Sequence, residues 1–230
     1  MKWAALEKRF RVSKSTIEHE LQVLDIRAAL TAAISKTSAQ VVEFCTWPAL
    51  YEFTARRNDG IRITNGLVKP DGYFHISEQK QGAKHDRIFF LEVDRSTEMQ
   101  DTLALKSASY TAYYKDGGYA GWLGKPRADF RDYPFCVLMV LKNAERRNNT
   151  AERLLQLNPP IRRQVWLTTL KEIISDPLGA IWVQPGEYLE VTKGTAFDPR
   201  TKRQKGMYQR QVGRERFVEQ SLTRKRLMEV

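Results

Sequence analysis

A chain of 230 residues with 42% apolar side chains, including five Trp, nine Tyr and ten Phe, has enough to build a sizeable core, which excludes a disordered polypeptide. The longest uninterrupted apolar run, FCVLMVL at 135–141, is far below membrane-spanning length, and the start MKWAALEKRF lacks the apolar stretch of a secretion signal. No membrane partner and a cytoplasmic location are therefore expected. The formal charge of +11 is uneven: residues 191–230 carry eleven Lys or Arg against four Asp or Glu, a net of +7, leaving +4 for the first 190. A segment so cationic suits a polyphosphate backbone, and the basic residues Lys202, Arg203, Lys205, Arg210, Arg214 and Arg216 are its candidate DNA contacts.

In chain order, residues 13–36 read as a helix behind a Ser-rich start, with Ile17, Leu21, Leu24, Ala28 and Leu30 at helical spacing. QVVEF at 40–44 reads as a strand, TWPALYEF at 46–53 as a turn or short helix, and ARRNDG as a charged loop. Strands over 66–77 and 87–94 are joined in a hairpin by the polar segment EQKQGAKHD. TEMQDTLALKSASYTAYYKDGG is the clearest helix, with acids in its first turn, a Lys in its last and a glycine stop. A long loop from Tyr119 to Tyr133 follows, interleaving aromatics with Lys125, Arg127 and Arg131; Lys125 and Arg127 are candidate DNA contacts there. PFCVLMVLK at 134–142 reads as a buried strand, AERRNNTAERLLQL and PIRRQVWLTTLKEIISD as two helices, and GAIWVQ at 179–184 as a last strand. The two cysteines, Cys45 and Cys136, lie in strand-like stretches and read as reduced core residues.

The order predicts a mixed α/β fold, a central sheet flanked by helices over residues 1–190, followed by a basic, partly helical extension over 191–230. Its core order, α-β-β-β-α-β, is also that of one broad nuclease fold.

One stretch poses the functional question: in FFLEVDRSTE the strand alternation turns Phe90, Glu92 and Asp94 to one face, where two acids at a buried strand end are out of place. Asp71 follows Pro70 near the start of the preceding strand, and in a hairpin it can come beside them. Three converging carboxylates are what a hard cation such as Mg²⁺ (or Mn²⁺) takes as ligands. On the following helix, Glu98, Thr102, Lys106, Tyr110 and Tyr114 form one stripe, so Lys106 and Tyr110 share a face that can approach the acids. Tyr110 is a further candidate DNA contact. The alternative for the acids is structural ion pairing with Arg62, Arg87, Arg95 or Lys106. GYAGWLGKP lacks the spacing of a phosphate loop. The scattered His19, His75 and His85 give no metal cluster to accompany Tyr113 and Tyr114 as relaxase nucleophiles.

Pro70-Asp71 followed by Glu92-Val93-Asp94 resembles the PD-(D/E)XK nuclease signature, with Asp94 where the signature has its Lys. The resemblance implies metal binding by Asp71, Glu92 and Asp94, and a catalytic set completed by Lys106. More specifically, His19-x-Leu21-x-Val23-x-Asp25, then VKPDGYF, LEVDRSTE, Lys106 and Tyr110 resemble the replication-relaxation family of plasmid and mobile-element proteins. That resemblance implies DNA, and other replication or relaxosome proteins, as partners. Only eighteen residues precede His19, too few for the upstream winged-helix domain that many members carry.

Overall fold

The computed structural model describes residues 13–47, 51–58, 63–95, 98–192, 208–211 and 223–229. At its centre is β5 (Ala83–Asp94), whose first residues are exposed and whose last six, Phe89 to Asp94, are buried. β4 (Gly72–Lys80) runs antiparallel to it and β1 (Ala39–Thr46) antiparallel to β4. On the other side β6 (Cys136–Leu141) and β7 (Val165–Thr169) are parallel, giving the order β1-β4-β5-β6-β7. The sheet is mixed and flanked by helices, as the element order predicts.

The β4–β5 hairpin closes on two residues, Gln81 (φ 52°) and Gly82 (φ 79°), so most of EQKQGAKHD is strand rather than loop. Its polar residues lie where the ladder runs out into solvent, and composition alone reads such an end as a connection. The positive φ at both turn positions is the geometry a right-twisted two-residue hairpin needs.

α1 (Lys14–Ile34) starts on Ser13, whose side chain accepts from the Thr16 amide at 3.1 Å. It buries Val23, Ile26, Leu30 and Ile34 against one face of the sheet, beside Phe74, Phe89, Leu91 and Val93. Of the residues noted at helical spacing, only Leu30 is buried: Ile17, Leu21 and Leu24 are 50%, 55% and 44% exposed. The helix carries two apolar stripes, and periodicity cannot choose between them.

The other face of the sheet is covered by α2 (Gln100–Lys115), α4 (Ala144–Leu155) and a separate ribbon of β2 (Phe53–Asn58) paired with β3 (Ile63–Val68). ARRN is thus strand, not loop. α2 ends at Gly117 (φ 66°), and a Cβ there would collide with the Arg127 backbone, so Gly117→Ala is expected to cost about 2–4 kcal/mol in denaturant unfolding. The expected long loop is instead a short helix, α3 (Gly118–Trp122), and a 3-10 turn over Arg127–Asp132. Its aromatics fold back: Trp122 stacks on Tyr119 and Phe130 meets Tyr114 edge-on, while Lys125 and Arg127 stay exposed.

The segment 160–176, expected as one helix, divides into β7 and a short α5 (Leu170–Ser175). Thr169 and Glu172 close a capping box at the junction, and VWLTT is a fully buried strand too short for its period to be told from that of a helix. GAIWVQ makes only isolated bridges, Val183 to Leu167 and Trp182 to Lys225. In the basic extension, β8 (Leu189–Thr192) pairs with β9 (Tyr208–Gln211), and residues 223–229 return to the body as a strap. Leu227 of that strap is fully buried in the α1-side core, Arg224 pairs with Glu172 beside the buried Arg147, and the Met228 carbonyl accepts from Arg87. Among the described residues no helix is long and apolar enough to cross a membrane. Both cysteines are free.

Candidate functional site

Each acid of the site is positioned by a different local device. Pro70, which has no N–H to donate, ends the run of β3, and the Asp71 amide then pairs with the Leu91 carbonyl at 3.0 Å. The Asp71 carboxylate continues the ladder in place of backbone, Oδ2 accepting from the Val93 amide at 2.7 Å. Its other oxygen faces Nε2 of His19 at 3.1 Å. His19 stands four residues before Val23, on the inward side of α1. The hydrogen bond to Asp71 raises the His19 pKa above its ordinary value, against the opposing effect of burial.

Glu92 lies between β4 and β6 and is 3% exposed. The Tyr110 hydroxyl donates to its Oε1, and the Lys106 ammonium meets its Oε2, so the shared face of α2 delivers both groups to one carboxylate. Burial pushes the Glu92 pKa up to about 7, although Lys106 opposes it. Burial would lower Lys106, but the charges of Glu92 and Asp71 outweigh it and hold the ammonium protonated. Tyr110 is also fully buried, and burial together with Glu92 holds its hydroxyl protonated; a direct DNA contact by Tyr110 is not available in this arrangement.

Asp94, buried at the end of β5, accepts from Nε of Arg146 at 2.7 Å. Arg146 also donates to the Glu98 carbonyl, and its amide is capped by Asn143 at 2.9 Å. Arg95 ties the strand end back to α1, donating to the Ser15 carbonyl at 2.8 Å and to Glu18 at 2.6 Å.

These groups line one cleft of about 250 Å³, with Asp71, Glu92, Asp94 and Lys106 all on its wall, together with Ser15, Thr16, His19, Arg95 and Glu98. The four residues singled out from sequence are thus brought together. Of the other proposed partners, Arg87 pairs with Glu78 and Arg95 with Glu18, while Arg62 lies outside the described residues. Sequence reasoning missed the partnerships of His19 and Arg146. Arg146 did leave a signal, since a cation in the first turn of a helix opposes the dipole and calls for a tertiary partner. Lys202, Arg203, Lys205, Arg214 and Arg216 lie outside the described residues, and Arg210 falls in β9.

The donor set does not fit a resident Mg²⁺ or Mn²⁺ as it stands. Both oxygens of Asp71 and both of Glu92 are engaged by protein groups, and Asp94 is held by a guanidinium. Among the described residues no group of three or more His, Cys, Asp or Glu is disposed to hold a metal ion. What the cleft offers is a polar wall of mixed charge: His19 of α1 faces Asp71, Lys106 of α2 faces Glu92, and Arg95, just past β5, is held by Glu18 and the Ser15 carbonyl.

The family model of replication-relaxation proteins matches residues 4–123, just over half of the chain. The chain belongs to the replication-relaxation family. The match takes in α1, β1 to β5 and α2, hence His19, Asp71, Glu92, Asp94 and Lys106, whereas Arg146 falls beyond it. No curated protein and no solved structure matches the chain. Membership in the replication-relaxation family suggests a role in the replication of plasmid or mobile-element DNA.

Proposed function

We propose that this protein binds DNA during replication and relaxation of plasmid or mobile-element DNA, and that the cleft between α1, α2 and the end of β5 is a binding site rather than a cutting centre. The observation that carries the reading is that every residue lining the cleft falls within the part of the chain matched to the family. The net charge of +11 supports a polyanionic partner. Lys106 and Arg95 supply positive charge, and Ser15 and Thr16 supply hydroxyls, along a wall that a phosphodiester can approach. The acids are neutralised from within the protein, which favours holding over hydrolysis.

A second reading has one specific observation in its favour. Lys106 sits on Glu92, where a lysine recruited from a helix would stand in a PD-(D/E)XK-like endonuclease whose usual Lys position is Asp94. The sheet elements up to β6, with the ribbon set aside, also follow the order helix, three strands, helix, strand.

One experiment separates the two. Binding to labelled DNA, followed by anisotropy, is expected to weaken at least tenfold as salt rises from about 50 to about 200 mM, the signature of released counterions. Supercoiled plasmid is expected to stay intact with Mg²⁺ or Mn²⁺ added. Salt-independent affinity would overturn the DNA reading. Nicking that disappears in Glu92→Gln would replace the binder by the endonuclease.

A further inference from the structure

The β2–β3 ribbon takes no part in the central sheet, and a lone two-stranded hairpin has little stability of its own. Here one face is fixed: Phe53, Ala55 and Val68 are buried, and the Phe53 ring stacks on Tyr113 at 4.0 Å and meets Tyr110 at 5.3 Å between centroids. Among the described residues the opposite face is solvent-exposed. It carries two cross-strand pairs, Thr54 with Leu67 and Arg56 with Asn65, all four side chains exposed.

We propose that this outer face is laid into a groove of duplex DNA. The inference rests on the DNA-binding reading above and adds the element that makes the contact. Between Phe53 and Val68 the sequence holds Arg56, Arg57 and Arg62 against the single acid Asp59, a net of +2 that suits a polyphosphate. Arg56 is the one on the exposed face; Arg57 takes the alternate register position of Phe53 and Ala55, and Asp59 and Arg62 lie outside the described residues. A two-stranded ribbon is also of a size that the major groove of B-form DNA admits. Arg56 and Asn65 stand side by side, and these are the side-chain types that grip guanine and adenine edges in that groove. Thr54 adds a hydroxyl for either kind of pair, and Leu67 an apolar surface for a thymine methyl. Packing of Phe53 on Tyr110 and Tyr113 of α2 presents the strands in a fixed register, which limits the ordering cost of binding.

The placement links ribbon and cleft. Val68 is followed by Lys69, Pro70 and Asp71, so the base of the ribbon lies within about 10 Å of the acid that pairs with His19, the reach of three extended residues. A duplex seated on the ribbon therefore brings a phosphate backbone near the cleft mouth.

The test uses the full chain with labelled duplex and single-stranded oligonucleotides of the same sequence, titrated at several salt concentrations. Arg56→Glu is expected to weaken duplex binding about tenfold and to make its salt dependence shallower by about one ion. Thr54→Lys, on the same open face, is expected to tighten it, and both variants should melt at the wild-type temperature because neither side chain is buried. Duplex binding by wild type that neither variant changes would overturn the ribbon while leaving the DNA reading intact. Equal effects on single strands, with no preference for duplex, would overturn groove docking. Wild-type protein that binds no DNA at all would remove both.

Discussion

Lys106→Met is expected to destabilise the protein by about 3–5 kcal/mol above pH 8 and by far less near pH 5. Lys106 is the cation facing a carboxylate that is almost wholly buried, and taking one partner from such a pair leaves an uncompensated charge. The pH dependence follows from the raised pKa of Glu92. Its folded-state value of about 7 lies above the ordinary 4.5, so the folded form holds a proton that the unfolded chain releases. Below 4.5 the carboxyl is neutral in both states and its burial carries no charge penalty. As pH rises toward 7 that advantage is lost, and above 7 the cost of the buried charge is offset by Lys106. Without the ammonium, the Glu92 pKa climbs further and the loss continues into the alkaline range. Urea unfolding of wild type and Lys106→Met at about pH 5 and pH 9 reads the difference directly. The double variant Glu92→Gln with Lys106→Met should recover most of the stability, since it buries no charge. An equal loss at both pH values would mean that Lys106 acts through packing alone.

The second large effect lies far from the cleft. Leu227→Ala is expected to cost about 2–5 kcal/mol, the range for emptying a closed apolar site. For a chain of this size that lowers the melting temperature by roughly 5–15 °C. Leu227 is fully buried among residues of α1 and the sheet, whereas its neighbour Met228 is only partly buried against that core. Removing residues 223–230 should cost more, because Arg224 also leaves Glu172. Burial raises the Glu172 pKa, but Arg224, Thr169 and Arg147 outweigh it and hold the carboxyl below its usual range. A truncation of the basic extension therefore confounds lost charge with lost core. Its DNA contacts are better tested by neutralising Lys202, Arg203 and Lys205 within an intact chain. A Leu227→Ala protein that melts with wild type would show that the strap is not part of the folded core.

How much of this was legible in the sequence depended on the range of the interaction. Alternation along FFLEVD put Glu92 and Asp94 on the face where they are found, because a strand period is a local property. The i, i+4 relation of Lys106 and Tyr110 was equally local, and both side chains meet Glu92. The partners of Asp71 and Asp94 were not legible as such. His19 and Arg146 are each some fifty positions away in sequence, and only the closed fold brings them near. VWLTT and the two stripes of α1 failed for another reason. A five-residue apolar run and a helix with apolar residues on opposite sides each satisfy more than one pattern, and tertiary burial decides. The ribbon hid because three charged or amide residues in a row, Arg56, Arg57 and Asn58, look like a turn until one face of the hairpin is seen to be docked.

The strap has a consequence for synthesis on the ribosome. Chains emerge from the amino end, so α1, whose Val23, Ile26, Leu30 and Ile34 belong to this core, leaves the ribosome well before the strap. The residue that completes its core, Leu227, is made after every strand of the sheet. Until translation has passed Met228, the nascent domain keeps an unsealed apolar seam beside Trp182. Premature termination upstream of the strap would release a chain with its sheet formed and that seam open, a natural substrate for chaperones and proteases.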